Sequence, residues 1–153
     1  MDLGLKDRVA IVTGSSRGIG RAIALALAEE GCHVVLSARG EERLRQTEAE
    51  VHAKGVRALG VVADLTKADG VERLVAEAAR AFGHIDVLVN NVGGSWAGDE
   101  DEAWNATYEA NILAAVRATR AVAPHMRQAG GGSIVHIASV WGREAGGARP
   151  TTP

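Results

Sequence analysis

Five short apolar runs recur along the chain at residues 9–12, 34–36, 59–63, 85–89 and 134–138, most of them rich in β-branched side chains. A run that is apolar throughout, and not only at every second position, suits a strand covered on both faces, as in a parallel sheet. Helical stretches lie between them at residues 21–30, 41–54 and 68–82, followed by one long helix from about residue 102 to 128. Gly31, Gly55 and Gly83 follow the first three, where a residue that enters the left-handed conformation at no steric cost ends a helix. Strand and helix alternating this often predict an α/β fold, an open doubly wound parallel sheet with right-handed crossovers. The cluster Gly130 to Gly132 reads as the turn between the long helix and the fifth strand.

The chain has 153 residues, 46% of them hydrophobic, which is enough to bury one core and sets disorder aside. Its 17 basic and 19 acidic side chains leave a net charge of −2, so no overall field gathers nucleic acid or an anionic membrane. The single cysteine, Cys32, can form no internal disulfide, which fits a reducing compartment. The N-terminal stretch has Lys6, Asp7 and Arg8 ahead of only a few apolar residues, which is neither a secretion signal nor a membrane span. A cytoplasmic location is expected. The five histidines form no pair at ligand spacing beside a cysteine or carboxylate cluster, so no metal site is expected.

The first strand runs into Thr13-Gly14-Ser15-Ser16-Arg17-Gly18-Ile19-Gly20 and then a helix. Glycines in this setting let the chain turn sharply and bring backbone close to a pyrophosphate, while the helix N-terminus offers N–H donors to it. An ordinary tight βα turn is the alternative, and the strand before with the helix after favours phosphate binding over it, so Gly14, Ser16, Arg17, Gly18, Ile19 and Gly20 are candidate dinucleotide-binding residues.

At this point the sequence resembles the short-chain dehydrogenase/reductase family, whose glycine motif is Thr-Gly-x-x-x-Gly-x-Gly. Further matches follow in order over roughly residues 5–148: Asp64 with Leu65 after the third strand, Asn90-Asn91-Val92-Gly93, Asn111, and Ser139 closing the fifth strand in "SIVHIAS". Val92 stands where the family carries alanine. The resemblance implies a Rossmann fold, here without its C-terminal part, a nicotinamide cofactor, and hydride transfer between a carbonyl and an alcohol. It makes Asp64 the adenine contact and Asn91, Val92 and Gly93 part of the cofactor wall. Ser139 becomes a catalytic group that polarises the carbonyl, and Asn111 the holder of a water in the proton relay. It also implies that full-length relatives are homo-oligomers and that a 3-oxoacyl carrier-protein reductase is one specific alternative. A nucleotide-holding relative without catalysis is another.

Charge bears on the form of the cofactor. A carboxylate ending the second strand holds the ribose 2′-hydroxyl of NAD, whereas a 2′-phosphate needs a cation. This chain reads Leu36-Ser37-Ala38-Arg39, with no acid there. Arg39 either presents its planar fork to a 2′-phosphate, with Arg17 as a second cation, or pairs with Glu41 or Glu42. The first reading favours NADP over NAD.

The resemblance places a proton-donating tyrosine, with a lysine four residues later, beyond Ser139. Tyr108 is the only tyrosine, and Lys6, Lys54 and Lys67 all lie before it, so the chain by itself is expected to be inactive. Trp96 and Trp141 are candidate walls of a substrate pocket, and the acidic run from Asp99 to Glu102 a helix start. The last residues, Ala148-Arg149-Pro150-Thr151-Thr152-Pro153, break the pattern, so residues 149–153 are read as an aberrant tail. One choice of codons for them encodes Pro-Thr-Tyr-Asn-Ala in a shifted frame, which is the basis for expecting a frameshift.

Overall fold

The computed structural model describes residues 2–140. The chain runs β1 (Val9–Thr13), α1 (Gly18–Glu29), β2 (His33–Ala38), α2 (Glu41–His52), β3 (Ala58–Val62), α3 (Ala68–Phe82), β4 (Val87–Asn90), α4 (Asp101–Tyr108), a π-helical turn (Glu109–Leu113), α5 (Ala114–Gln128) and β5 (Ser133–His136). All strand pairs are parallel, in the order β3-β2-β1-β4-β5.

Alternation along the strands sends side chains to two separate cores. Val9, Ile11, Val35 and Leu88 pack with Leu74 of α3 and Val122 of α5. Ala10, Val12, Val34 and Leu36 pack with Ala24 of α1 and Leu44 and Val51 of α2. Both faces of β1 and β2 are therefore apolar, which is why those strands read as unbroken hydrophobic runs. Ile11, Leu36 and Leu44 are fully buried, each such side chain contributing about 1.5–3 kcal/mol. At the N-terminal ends of the strands the buried Asp86 carboxylate accepts from the Val9 N–H at 2.8 Å and from Arg8 Nη1 at 2.9 Å, fixing β1 to the approach of β4.

The chain steps outward from β1 to β2 and β3, then returns across β1 to β4. That reversal opens a crevice at the carboxyl ends of β1 and β4. Gly83 ends α3 in the left-handed conformation, φ 82°, as expected. Two expectations need correction. The long helix is divided by the π turn, where a five-residue spacing of hydrogen bonds replaces the four-residue one. Among the described residues the fifth strand is not covered on both faces: it is an edge strand, Val135 is 45% exposed and only Ile134 is half-buried.

Candidate active site

The crevice holds a cavity of about 830 Å³. It is floored by the β1–α1 loop and walled on one side by the start of α2 and the loop after β3, on the other by the loop after β4. Gly14, Ser16, Arg17, Gly18, Ile19, Arg39, Asp64, Leu65, Asn91, Val92 and Gly93 all line it. The sequence motifs, far apart along the chain, therefore converge. Gly20 lies beneath the loop instead of on the wall. A Cβ there would stand 2.4 Å from both Asn91 Nδ2 and the Gly14 carbonyl oxygen.

A hydrogen-bonded knot joins β1 to β4 under the cavity. Thr13 Oγ1 accepts from the backbone N–H of Asn91 at 2.9 Å and of Val92 at 3.2 Å, and donates to the Val89 carbonyl at 3.3 Å. Asn91 Nδ2 returns the contact by donating to the carbonyls of Thr13 at 3.0 Å and Gly14 at 3.1 Å. Ser15 Oγ accepts from the Ser37 N–H at 3.0 Å, tying the glycine loop to β2 as well.

The donor set fits a dinucleotide. Helix α1 begins at Gly18 with no side-chain cap and no acid in its first turn, so its first N–H groups and the positive end of its dipole are left for an anion. Arg17, Arg39 and Arg43 are exposed on the cavity wall, and none enters an ion pair among the described residues. Glu41, a partner considered for Arg39, is engaged by Arg45. Ser37 Oγ, at the same wall, is a buried hydroxyl without a hydrogen-bond partner among the described residues.

Asp64 turns back on its own loop, Oδ1 accepting from the Thr66 N–H at 3.0 Å and hydroxyl at 2.8 Å. Burial would raise its carboxyl, but those two hydrogen bonds, with the charges of Arg39 and Lys67, more than offset that and hold it below the ordinary carboxylate value. It is an anion at neutral pH.

Asn111 and Ser139 are not cavity-lining residues. Asn111 sits in the π turn and staples the neighbouring loop: its Oδ1 accepts from the Gly94 N–H at 3.2 Å, and its Nδ2 donates to the Gly94 and Thr107 carbonyls at 2.6 and 2.8 Å. Ser139 is exposed, three residues beyond β5. Trp96 does line the cavity, with its ring 3.0 Å from where a Gly94 Cβ would stand. Tyr108 is 53% exposed and outside the cavity. Trp141 and the tail at residues 149–153 lie outside the described residues.

Sequence reading did not single out Thr13, Arg43 or Thr66. Thr13 stood inside the quoted motif, but nothing there announces that its hydroxyl serves two backbone amides. The sequence already starts a helix at Glu41, but Arg43 comes into view only once α2 is packed on the sheet with its first turn at the cavity wall.

Among the described residues no group of three histidines, cysteines or carboxylates is placed to hold a metal, and no helix is long and apolar enough to cross a membrane.

The family model of short chain dehydrogenases matches residues 8–151. Dehydrogenase/reductase SDR family member 4 of Homo sapiens is 40% identical over 141 residues, which are 89% of this chain and 51% of that protein. The crystal structure of L-sorbose reductase from Gluconobacter frateurii, complexed with NADPH and L-sorbose, matches with a TM-score of 0.95 at 39% identity, covering 99% of this chain and 60% of that one. NAD+-bound xylitol dehydrogenase matches with a TM-score of 0.92 at 33% identity, covering 97% of this chain and 59% of that one. The chain spans about half the length of the curated relatives it matches.

Proposed function

This chain belongs to the short chain dehydrogenase family, and from that premise we propose that its cleft binds NADP(H) for hydride transfer between a carbonyl and an alcohol. The observation that carries the preference for the phosphorylated cofactor is the wall beside β2. The strand ends at Ala38 with no carboxylate to hold a ribose hydroxyl, and Arg17, Arg39 and Arg43 line the cavity without competing ion pairs among the described residues. Arg39 and Arg17 bind the 2′-phosphate, the uncapped start of α1 takes the pyrophosphate, and Asp64 and Leu65 seat the adenine. Asn91, Val92 and Gly93 form the wall toward the nicotinamide. When bound, that ring supplies the hydride. Ser139 polarises the substrate oxygen, and Asn111 holds the Gly94 loop at the reacting end.

Proton donation to the alkoxide typically contributes ~10²–10⁴-fold, and no tyrosine of these residues faces the cavity. The chain by itself therefore binds nucleotide while reducing carbonyls negligibly.

Titration of the 153-residue chain with NADPH and NADH, followed by fluorescence, tests the reading. A charge-assisted hydrogen bond is worth about 1.5–3 kcal/mol, so NADPH is expected to bind roughly tenfold more tightly or better. Arg39→Asp should reverse that order by replacing a phosphate clamp with a hydroxyl acceptor. Equal affinity of the unaltered chain for the two nucleotides overturns the NADP assignment.

A further inference from the structure

The π turn between α4 and α5 places two charges together that a regular helix would keep apart. An α-helix turns about 100° per residue, so Glu109 and Arg117, eight positions apart, would stand about 80° from one another around a continuous helix. A single π turn absorbs one additional residue. Arg117 is then turned as seven positions of plain helix would turn it, about 20° from Glu109. In that register Arg117 Nη1 reaches Glu109 Oε2 at 2.7 Å. The same nitrogen donates its second hydrogen to the Thr66 carbonyl at 2.7 Å.

Thr66 lines the cleft, and Glu109 adjoins Ala110, which lines it as well. Thr66 also supplies the hydrogen bonds that fix Asp64. Glu109 opens the π turn whose Asn111 grips the backbone N–H and carbonyl of Gly94. Reverting the turn to plain α register would rotate everything after it by about 100° relative to everything before. Arg117 could not then hold Glu109 and Thr66 together while Asn111 held Gly94.

We infer that Arg117 is a positioning residue that locks the π register, and so ties the Asp64–Thr66 loop on one wall of the cleft to the Asn111–Gly94 contact, which lies next to the lining residues Gly93 and Ala110 on the other. It touches neither cofactor nor substrate. This deepens the nucleotide-binding reading and rests on it only for the ligand arm of the test.

Amide hydrogen exchange of the 153-residue chain reads the lock directly at the Gly94 N–H. In Arg117→Met that amide should exchange about tenfold faster or more, because its acceptor Asn111 is no longer held in place, while the amides of β1 and β2 keep their protection. Glu109→Gln, which removes only the ion pair, should move Gly94 in the same direction and serves if Arg117→Met does not fold. Adenosine 2′,5′-bisphosphate, a probe of the adenine end alone, should slow Gly94 exchange in the unaltered chain and leave it unchanged in Arg117→Met. A Gly94 amide equally protected in the unaltered chain and both variants overturns the lock. Equal slowing by the bisphosphate with and without Arg117 overturns the link between the two walls. If the bisphosphate fails to bind the unaltered chain, the NADP reading falls, while the ligand-free comparison still decides the register.

Discussion

A Cβ at residue 20 has nowhere to go. It would meet the Gly14 carbonyl oxygen at 2.4 Å, and that oxygen is already held by Asn91. Backbone cannot swing aside as a side chain can, so Gly20→Ala should cost about 1–3 kcal/mol, the range for overpacking, and should weaken NADPH binding by pushing the glycine loop into the cavity. Thermal unfolding followed by circular dichroism, with an NADPH titration, checks both; an unchanged midpoint and affinity would refute the close-packing account. Cys32 gives a second prediction at this scale. Burial first, and the charge of Asp86 second, push its thiol from 9.0 up to about 11, against the opposing pull of Arg8. The folded chain thus holds this proton more tightly than the unfolded one. The stability this lends is whole below pH 9.0 and is lost as pH rises toward about 11. A thiol reagent at pH 8 should accordingly leave the folded chain unlabelled and label it once unfolded. The glycines of the loop were legible because their spacing is local. The hydroxyl of Thr13 was not, because its role depends on contacts made across the sheet, and Arg43 was not, because its place on the cavity wall depends on how α2 packs on the sheet.

Strands β3 and β5 are the two edges of the sheet, and they are finished differently. On the free side of β3 the Gly60 N–H donates to Glu48 Oε1 at 2.7 Å, and the Gly60 carbonyl accepts from Arg45 Nη1 at 2.9 Å. Arg45 and Glu48 are themselves paired at 2.8 Å, and Arg73 donates to the Val62 carbonyl. Side chains of α2 and α3 thus occupy backbone groups that an added strand would need. They reach that far because residue 60 has no side chain: a Cβ there would stand 3.0 Å from Glu48 Oε2 and 3.1 Å from Arg45 Nη1. Gly60→Val should displace the pair and expose the edge, seen as a larger concentration-dependent rise in light scattering than the unaltered chain shows. Scattering that matches the unaltered chain would count against this guarding role. Sequence periodicity located every strand and nearly every helix, since strands apolar on both faces and helices closed by glycine are local signals. It could not register the π turn, because one additional residue in a helix of twenty-odd leaves the apolar pattern nearly intact. It is the hydrogen bonds of Asn111 and the reach of Arg117 that reveal it.

At the scale of the whole molecule the two cores are unequal in how they meet the edge. The β1–β2 centre is closed on both faces, and the fold class was legible from those apolar runs together with their alternation with helices. For β5 the same apolar composition misled, because composition reports what a strand could bury and not whether anything covers it. Val135, Ile137 and Val140 are 45%, 39% and 56% exposed. Among the described residues no strand pairs with the free side of β5, and no charged side chain bonds its backbone as Arg45 and Glu48 bond that of β3. An uncovered apolar strand with open N–H and C=O groups is a template for pairing with other chains. The 153-residue chain should therefore associate as its concentration rises, with the unprotected edge as the point of contact. Val135→Lys puts a charge on the exposed face of that strand without approaching the cleft. It should suppress association in light scattering and sedimentation while leaving NADPH affinity within about twofold, as expected of distant, independent sites. If Val135→Lys associates as readily as the unaltered chain, contact is made elsewhere. If the unaltered chain stays monomeric across the concentration range and unfolds in a sharp, reversible transition, the exposed edge is not the liability its geometry implies.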